Sequence, residues 1–262
     1  MPRRLRRKYV FAALLAFATP LAAQDLPRDP PAENDLAIMG TIPIYWGERG
    51  EMADLLAGHS GGHWARPVIE QNWRLRPLDY LSAEALSGYR RLLLAQPRGL
   101  SAEENVALDA WVRGGGQVLL FADPLMTGHS RYAIGDRRRP QDVALLSPIL
   151  AHWGLELHFD EAQPEGIRIS AQTGDRVPPA IPVKLAGTIS LTSGDSVCAL
   201  LADGVIADCT VGAGRATIIA DAALFDAEED EVPPSTELAA LFQWVFGNPV
   251  PPLAPPAELG SN

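Results

Sequence analysis

The sequence predicts an α/β protein built on a mostly parallel sheet. Residues 91–95 (RLLLA) form an apolar run, residues 101–113 read as a capped helix, and 118–122 (VLLFA) form a second apolar run after three glycines. Strand, helix and strand at this spacing make one parallel βαβ unit. The run at 118–122 shows no polar alternation, as expected of a central parallel strand covered on both faces.

The remaining elements follow in chain order. Residues 24–35 carry Pro27, Pro30 and Pro31 and read as a flexible lead-in. Residues 36–46 are the first expected strand, with Pro43 ending its central part. A helical stretch at 51–57, a Gly/His loop at 58–63 and a second helical stretch at 65–71 come next. Residues 73–78 alternate as a strand does, and 82–86 form a short helix. In the 101–113 helix, Ser101 and Glu104 make a capping box. Ala107, Leu108, Trp111 and Val112 form one apolar stripe, and Gly114-Gly115-Gly116 supplies a positive-φ stop.

A helix over 141–153 is predicted, with Pro140 at its start and Gly154 at its end. A strand follows at 155–159. The character then changes to short strands at 167–170, 187–192, 197–202, 205–210 and 215–220. They read as an antiparallel extension of the sheet or a small subdomain. The last returns to a buried-strand pattern and ends in Asp221. A closing helix is expected at 236–246, and residues 247–262 are a proline-rich tail.

Five of the 22 basic residues (Arg3, Arg4, Arg6, Arg7 and Lys8) lie in the first eight positions, ahead of an apolar run from Tyr9 to Phe17. Small residues precede Gln24. This is the pattern of a signal peptide over 1–23, cleaved near Ala23. The apolar run is shorter than the roughly 20 residues of a membrane span. The mature chain is therefore expected to be periplasmic, with no span after cleavage. Without the leader, 17 basic residues face 32 acidic ones, a net of −15. So acidic a chain is a poor partner for nucleic acid or anionic membrane.

Cys198 and Cys209 flank Asp203-Gly204, a two-residue hairpin signal between apolar runs. If Ala202 pairs with Val205, the two cysteines lie directly opposite. A hydrogen-bonded pair would separate their Cα atoms by about 5.5 Å, within disulfide range. Export favours the bridge over two buried thiols.

Three patterns raise the question of chemistry. Gly58-His59-Ser60-Gly61-Gly62 matches the G-x-S-x-G nucleophile elbow. An elbow needs a buried strand before the serine and a helix directly after it. A helical stretch precedes this one, so a flexible glycine loop is the favoured reading. His59 and His63 have the spacing of a metal pair on a helix, but their segment is too rich in glycine to be one. The acidic run 226–231 lacks the spaced ligands of a calcium loop. No catalytic residue, metal ligand or cofactor is assigned.

The better candidate follows Asp123. In open parallel sheets, ligands bind beyond the carboxyl ends of the strands. The loop there, 123–140, is long and polar, and carries Arg131, Arg137, Arg138 and Arg139 before an expected helix start. Helix starts favour anions. Asp123, His129, Arg131, Asp136 and Arg138 are the candidate binding residues, for an anionic ligand or a partner's acidic side chain. The alternative is that the arginines pair with Asp136, Asp123 or Asp142.

Several segments together resemble a known family. They are Leu93-Leu94-Ala95-Gln96-Pro97, Leu100-Ser101, Ala107-Leu108-Asp109, Val112-Arg113-Gly114-Gly115-Gly116 and Leu120-Phe121-Ala122-Asp123-Pro124. With Gly214 to Phe225 and the closing helix, they resemble the GldG-like domain of uncharacterised ABC-type transport systems. The similarity covers roughly 36–246. That group is similar to the GIFT domains of intraflagellar transport and, more distantly, to class I glutamine-amidotransferase-like folds. The resemblance implies a flavodoxin-like sheet with helices on both faces. It also implies a non-catalytic accessory role beside membrane transport or envelope subunits. Neither Cys198 nor Cys209 sits in an elbow, so amidotransferase chemistry does not follow. An exported hydrolase using Ser60 or a weak metal site is the second hypothesis. A structural envelope module with no small ligand is the third.

Overall fold

Strand pairing follows the apolar runs. The computed structural model describes residues 32–48, 62–170, 177–193, 197–226 and 232–247. Of its two units, Met1–Pro30 lies outside the described residues, and Pro31–Asn262 is the unit treated below. Also outside are the expected helix at 51–57, residues 58–61 of the G-x-S-x-G match, most of the acidic run after Asp226, and the tail beyond Gly247.

The described strands are β1 (Asp35–Gly40), β2 (Arg74–Pro77), β3 (Arg91–Ala95), β4 (Gln117–Phe121), β5 (Leu155–His158) and β6 (Ile167–Ser170). They continue with β7 (Ile181–Lys184), β8 (Thr188–Leu191), β9 (Val197–Leu201), β10 (Ile206–Val211) and β11 (Gly214–Ile219). The helices are α1 (Ala65–Ile69), α2 (Ala83–Leu86), α3 (Ala102–Arg113), α4 (Ser147–His152) and α5 (Ser235–Phe246).

Seven strands form one mostly parallel sheet in the order β2-β1-β3-β4-β11-β10-β9. β3 and β4 run parallel, with Leu92 opposite Val118 and Leu93 opposite Leu119. β10 is antiparallel to both its neighbours. β5 with β8, and β6 with β7, make two small antiparallel pairs outside the main sheet.

Alternate residues of the strands enter two apolar clusters, as the pleat requires. One holds Leu36, Leu93 and Leu119 with Ile69 of α1 and Leu241 of α5. The other holds Leu92, Leu94 and Leu120 with Leu86 of α2, Leu108 of α3 and Leu150 of α4. These leucines are essentially inaccessible. Each contributes about 1.5–3 kcal/mol by leaving water, so the β3–β4 pair is the apolar centre of the sheet.

The capping box of α3 is present: Ser101 accepts from the Glu104 N–H, and the Glu104 carboxylate accepts from the Ser101 N–H. The same carboxylate takes two 2.8 Å bonds from Arg98 and one from the Leu81 N–H. Gly115 has the expected positive φ just past the helix.

Several expectations are corrected. The first strand ends at Gly40, well before Pro43. α1 stops at Ile69. The strand near 215–220 is antiparallel to β10 on one side only. β11 lies parallel beside β4, with Ala216 opposite Val118, and every residue in it is buried. β7 is not among the expected strands; its Pro182 is tolerated in a two-stranded pair. The predicted 141–153 helix forms only over Ser147–His152, for a reason that lies in the site described below.

The cysteine expectation holds in its essentials. Cys198 pairs with Cys209 in the β9–β10 ladder, and a disulfide joins them. Two details differ. The Cα atoms are 4.0 Å apart rather than about 5.5 Å, nearer the narrow spacing of a non-hydrogen-bonded pair. The ladder also ends at Leu201 opposite Ile206, leaving a four-residue connection in which Ala202, Asp203 and Gly204 all take positive φ. The bridge spans a sequence separation of 11. Loop-closure entropy for so short a loop gives it about 2–3 kcal/mol. A Cys198→Ala/Cys209→Ala variant should lose that much in urea unfolding. Adding reductant should then shift the wild type and leave the variant unmoved.

Candidate functional site

The carboxyl ends of the central strands each deliver a polar side chain to one edge. Thr41 follows β1, Gln96 follows β3, Asp123 follows β4 and Asp221 follows β11. Gln96 is fully buried, at a backbone φ of +47°. Its amide donates to the carbonyls of Asp123 and Gln141, both at 2.9 Å, and its Oε1 accepts from the Asp123 N–H at 2.8 Å. Thr41 donates its hydroxyl to the Gln96 carbonyl and accepts from the Gln141 N–H.

These bonds explain the shortened helix. Gln141 has its N–H on Thr41 and its carbonyl on Gln96. The Asp142 carbonyl accepts from the Met126 N–H, and the Ala144 N–H donates to the Asp123 carbonyl. The backbone groups that would have built the first turns of a 141–153 helix are bound to the sheet edge instead. No local sequence pattern announces that competition.

Asp123 and Asp221 are buried, with relative exposures of 1% and 2%. The Asp123 carboxyl accepts from the N–H groups of Leu125 and Ala222, tying the β4 loop to the β11 loop. Asp221 accepts from the N–H groups of Lys184 and Ala223. Burial raises the Asp123 pKa to about 7, and the charge of Asp226 adds to the rise. Asp221 is pushed well above the usual carboxylate range, by burial first and then by Asp123. No arginine contacts either carboxyl group among the described residues.

The basic loop lies outside this edge. Arg138 forms a bidentate pair with Asp136 (3.0 and 2.7 Å) and stacks over Tyr132. That guanidinium lowers the Asp136 pKa to about 2. Arg139 binds Asp142 and the Tyr132 carbonyl. Arg131 faces Glu48, whose carboxylate also accepts the Arg131 N–H at 2.9 Å. His129 is exposed in the same loop. Ile134 stands 86% exposed between these arginines. The five candidate residues are thus divided: Asp123 belongs to the buried edge, and the other four to the loop above it.

Thr127 anchors that loop by donating to Asp226, and a side chain at Gly128 would meet the same carboxylate. His63 is half-buried, with its Nδ1 accepting from the Ala65 N–H, and loss of solvent around the ring lowers its pKa to about 4. His59 and Ser60 lie outside the described residues. Among the described residues, no group of three His, Cys, Asp or Glu is arranged to hold a metal ion. No described helix is long and apolar enough to cross a membrane.

Sequence reasoning had not singled out Gln96 or Thr41. A glutamine closing a wholly apolar strand and followed by Pro97 was the available signal. Asp221 ends its strand pattern as Asp123 does, and that likeness points to the pair.

No family model matches the chain, and no curated protein matches it. Solved structures with a similar course include the mmIFT52 N-terminal domain, at 16% identity and a TM-score of 0.49, covering 80% of this chain and 96% of that one. A β-galactosidase from Bacillus circulans sp. alkalophilus has 13% identity and a TM-score of 0.48, covering 83% of this chain but only 31% of the enzyme. A ThuA-like protein from Bacteroides uniformis has 11% identity and a TM-score of 0.39, covering 84% and 94%. Likenesses this distant carry no information about activity.

Proposed function

We propose that this chain is an exported, non-catalytic binding module of an ABC-type transport or envelope system, recognising its partner through the 125–139 loop. The observation behind this reading is how the sheet edge uses its polar groups. Thr41, Gln96, Asp123 and Asp221 occupy the positions where open α/β sheets carry out chemistry. All four are committed to holding loop backbone. The edge acts as a scaffold, and the exposed loop with Ile134, Arg131 and Arg138 is what it presents. The resemblance to GldG-like domains supports the same assignment. It also supports reading the sheet as flavodoxin-like, with α1 and α5 covering one face and α2, α3 and α4 the other.

The partner surface would supply a carboxylate or another anionic group, replacing Asp136 on Arg138 or Glu48 on Arg131. The arginines are held in place by Tyr132 and by those carboxylates, so little ordering remains to be done on binding.

The test is site-specific photo-cross-linking from position 137 in the native host. A membrane transport subunit should be recovered, and the yield should fall several-fold in an Arg131→Ala/Arg138→Ala variant. These are exposed rim charges, so the loss should be partial rather than complete. An unchanged yield in the double variant would remove the loop from recognition. Labelling of Ser60 by a fluorophosphonate would favour the hydrolase reading instead.

A further inference from the structure

The β6–β7 pair has an inner strand and an outer one. Ile181 and Val183 of β7 are buried in the cluster that holds Leu36 and Leu93. In β6, Ile167, Arg168 and Ile169 are exposed, and only Ser170 is buried. Ile167 and Ile169 share one face of the strand, at 60% and 63% exposure. The fold leaves most of their apolar surface in water.

Pro182 fixes which way the β6 backbone faces. Ile169 lies opposite Pro182, which has no N–H to exchange. That position is therefore a non-hydrogen-bonded pair, and Ile169 turns its own N–H and carbonyl away from β7. By the period of two, Ile167 does the same. Neither residue makes a backbone bond elsewhere among the described residues. The outer edge of β6 thus presents two N–H groups and two carbonyls beside two exposed isoleucines. Such an edge is a template for another strand, and a two-stranded pair gains stability from a third. β2, at one edge of the main sheet, is guarded instead by Arg74, Arg76 and Pro77.

Charge identifies the occupant. A second copy pairing antiparallel about the centre of β6 would set Arg168 directly opposite Arg168, which is unfavourable. Arg168 donates to the Gln163 Oε1 at 2.8 Å and pairs with no carboxylate among the described residues. Glu161 and Glu165 are exposed just before the strand, so the preference for an acid is confined to the position facing Arg168. We propose that β6 is a docking edge for an extended segment of a partner protein. The segment runs antiparallel, with β-branched apolar residues opposite Ile167 and Ile169 and an acidic residue between them, opposite Arg168. Backbone bonds supply the attraction, and the alternating side chains supply the selectivity. This edge is a different surface from the 125–139 loop and does not depend on the transport reading.

Hydrogen exchange of the full chain with the capped peptide Ser-Thr-Val-Glu-Val-Thr-Ser tests the proposal. Two further peptides complete the set, one with lysine for the glutamate and one with both valine nitrogens methylated. The first peptide should protect the Ile167 and Ile169 amides saturably. The lysine peptide should bind about three- to fivefold more weakly, as one exposed cross-strand charge pair allows. The methylated peptide should not bind, because its valine nitrogens face β6. Arg168→Glu should reverse the preference between glutamate and lysine. Ile169→Pro removes an N–H that β7 does not use, so it should leave the β6–β7 ladder in place and abolish binding. No saturable protection, equal binding of the methylated peptide, an unchanged preference in Arg168→Glu, or a dimer that Ile169→Pro dissociates would overturn the assignment.

Discussion

A Gln96→Leu variant should lose about 3–5 kcal/mol of stability, because each buried polar group left without a partner costs roughly 1–3 kcal/mol. Leucine keeps most of the volume but strands the Asp123 N–H and the Gln141 carbonyl, and leaves the Asp123 carbonyl with the Ala144 N–H alone. Two of these bonds are wholly buried, so water cannot replace the lost partner without entering the sheet edge. Gln96→Glu keeps the acceptor for the Asp123 N–H but turns a buried carboxylate oxygen toward two carbonyls, so a loss at least as large is expected. The damage should be local before it is global. Hydrogen exchange should accelerate first at Ala144 and Leu125, whose amides bind the Asp123 backbone and side chain. Chemical denaturation of both variants provides the measurement. A Gln96→Leu loss under 1 kcal/mol would mean that the edge is not organised by this side chain.

The βαβ unit was legible because local signals agree there. The capping box, the glycine stop and two apolar runs all point to the same structure, and tertiary packing had nothing to override. The disulfide register was legible for the same reason, since Asp-Gly fixes which residues face each other. Turn length was less certain, because Ala202 also took a left-handed conformation. What sequence could not reveal was competition at a distance. Pro140 and the residues after it favour a helix by every local rule, yet Thr41 and Gln96 lie 100 and 45 residues away from their Gln141 partner. The burial of β11 was legible in its apolar run ending at Asp221, but its parallel pairing with β4, about 100 residues earlier, was not, because its neighbours in sequence are antiparallel hairpins. The candidate loop was found through the rule that ligands gather at strand carboxyl ends. That rule gives the location but not the pairing, so Asp123 was grouped with arginines that the folded chain holds elsewhere.

Stability should be greatest in mildly acid solution and should decline toward pH 8. Asp123 carries a folded-state pKa of about 7 against 3.8 unfolded. Between those values the native state holds a proton that the unfolded chain has released. Stability then falls with rising pH by about 1.4 kcal/mol per unit for one such group. The favourable contribution is complete below pH 3.8 and is lost as pH rises through 7. Over the window it amounts to about 4 kcal/mol. Asp221, also raised, acts in the same direction. Asp35 and Glu104 oppose them on the acid side. Arginine partners hold both at about 2, against a burial cost that acts the other way. Their contribution is present above their ordinary values and disappears as pH falls toward 2. The two limbs leave a maximum near pH 4–5, which thermal melts across pH 3–8 would locate. Asp123→Asn separates the causes. The amide accepts from only one of the Leu125 and Ala222 N–H groups, so the variant is less stable in acid. Its slope above pH 5 should nevertheless flatten, because the titrating group is gone. A variant that keeps the wild-type slope would show that Asp123 is ionised throughout and that its two hydrogen bonds from the Leu125 and Ala222 N–H groups outweigh its burial.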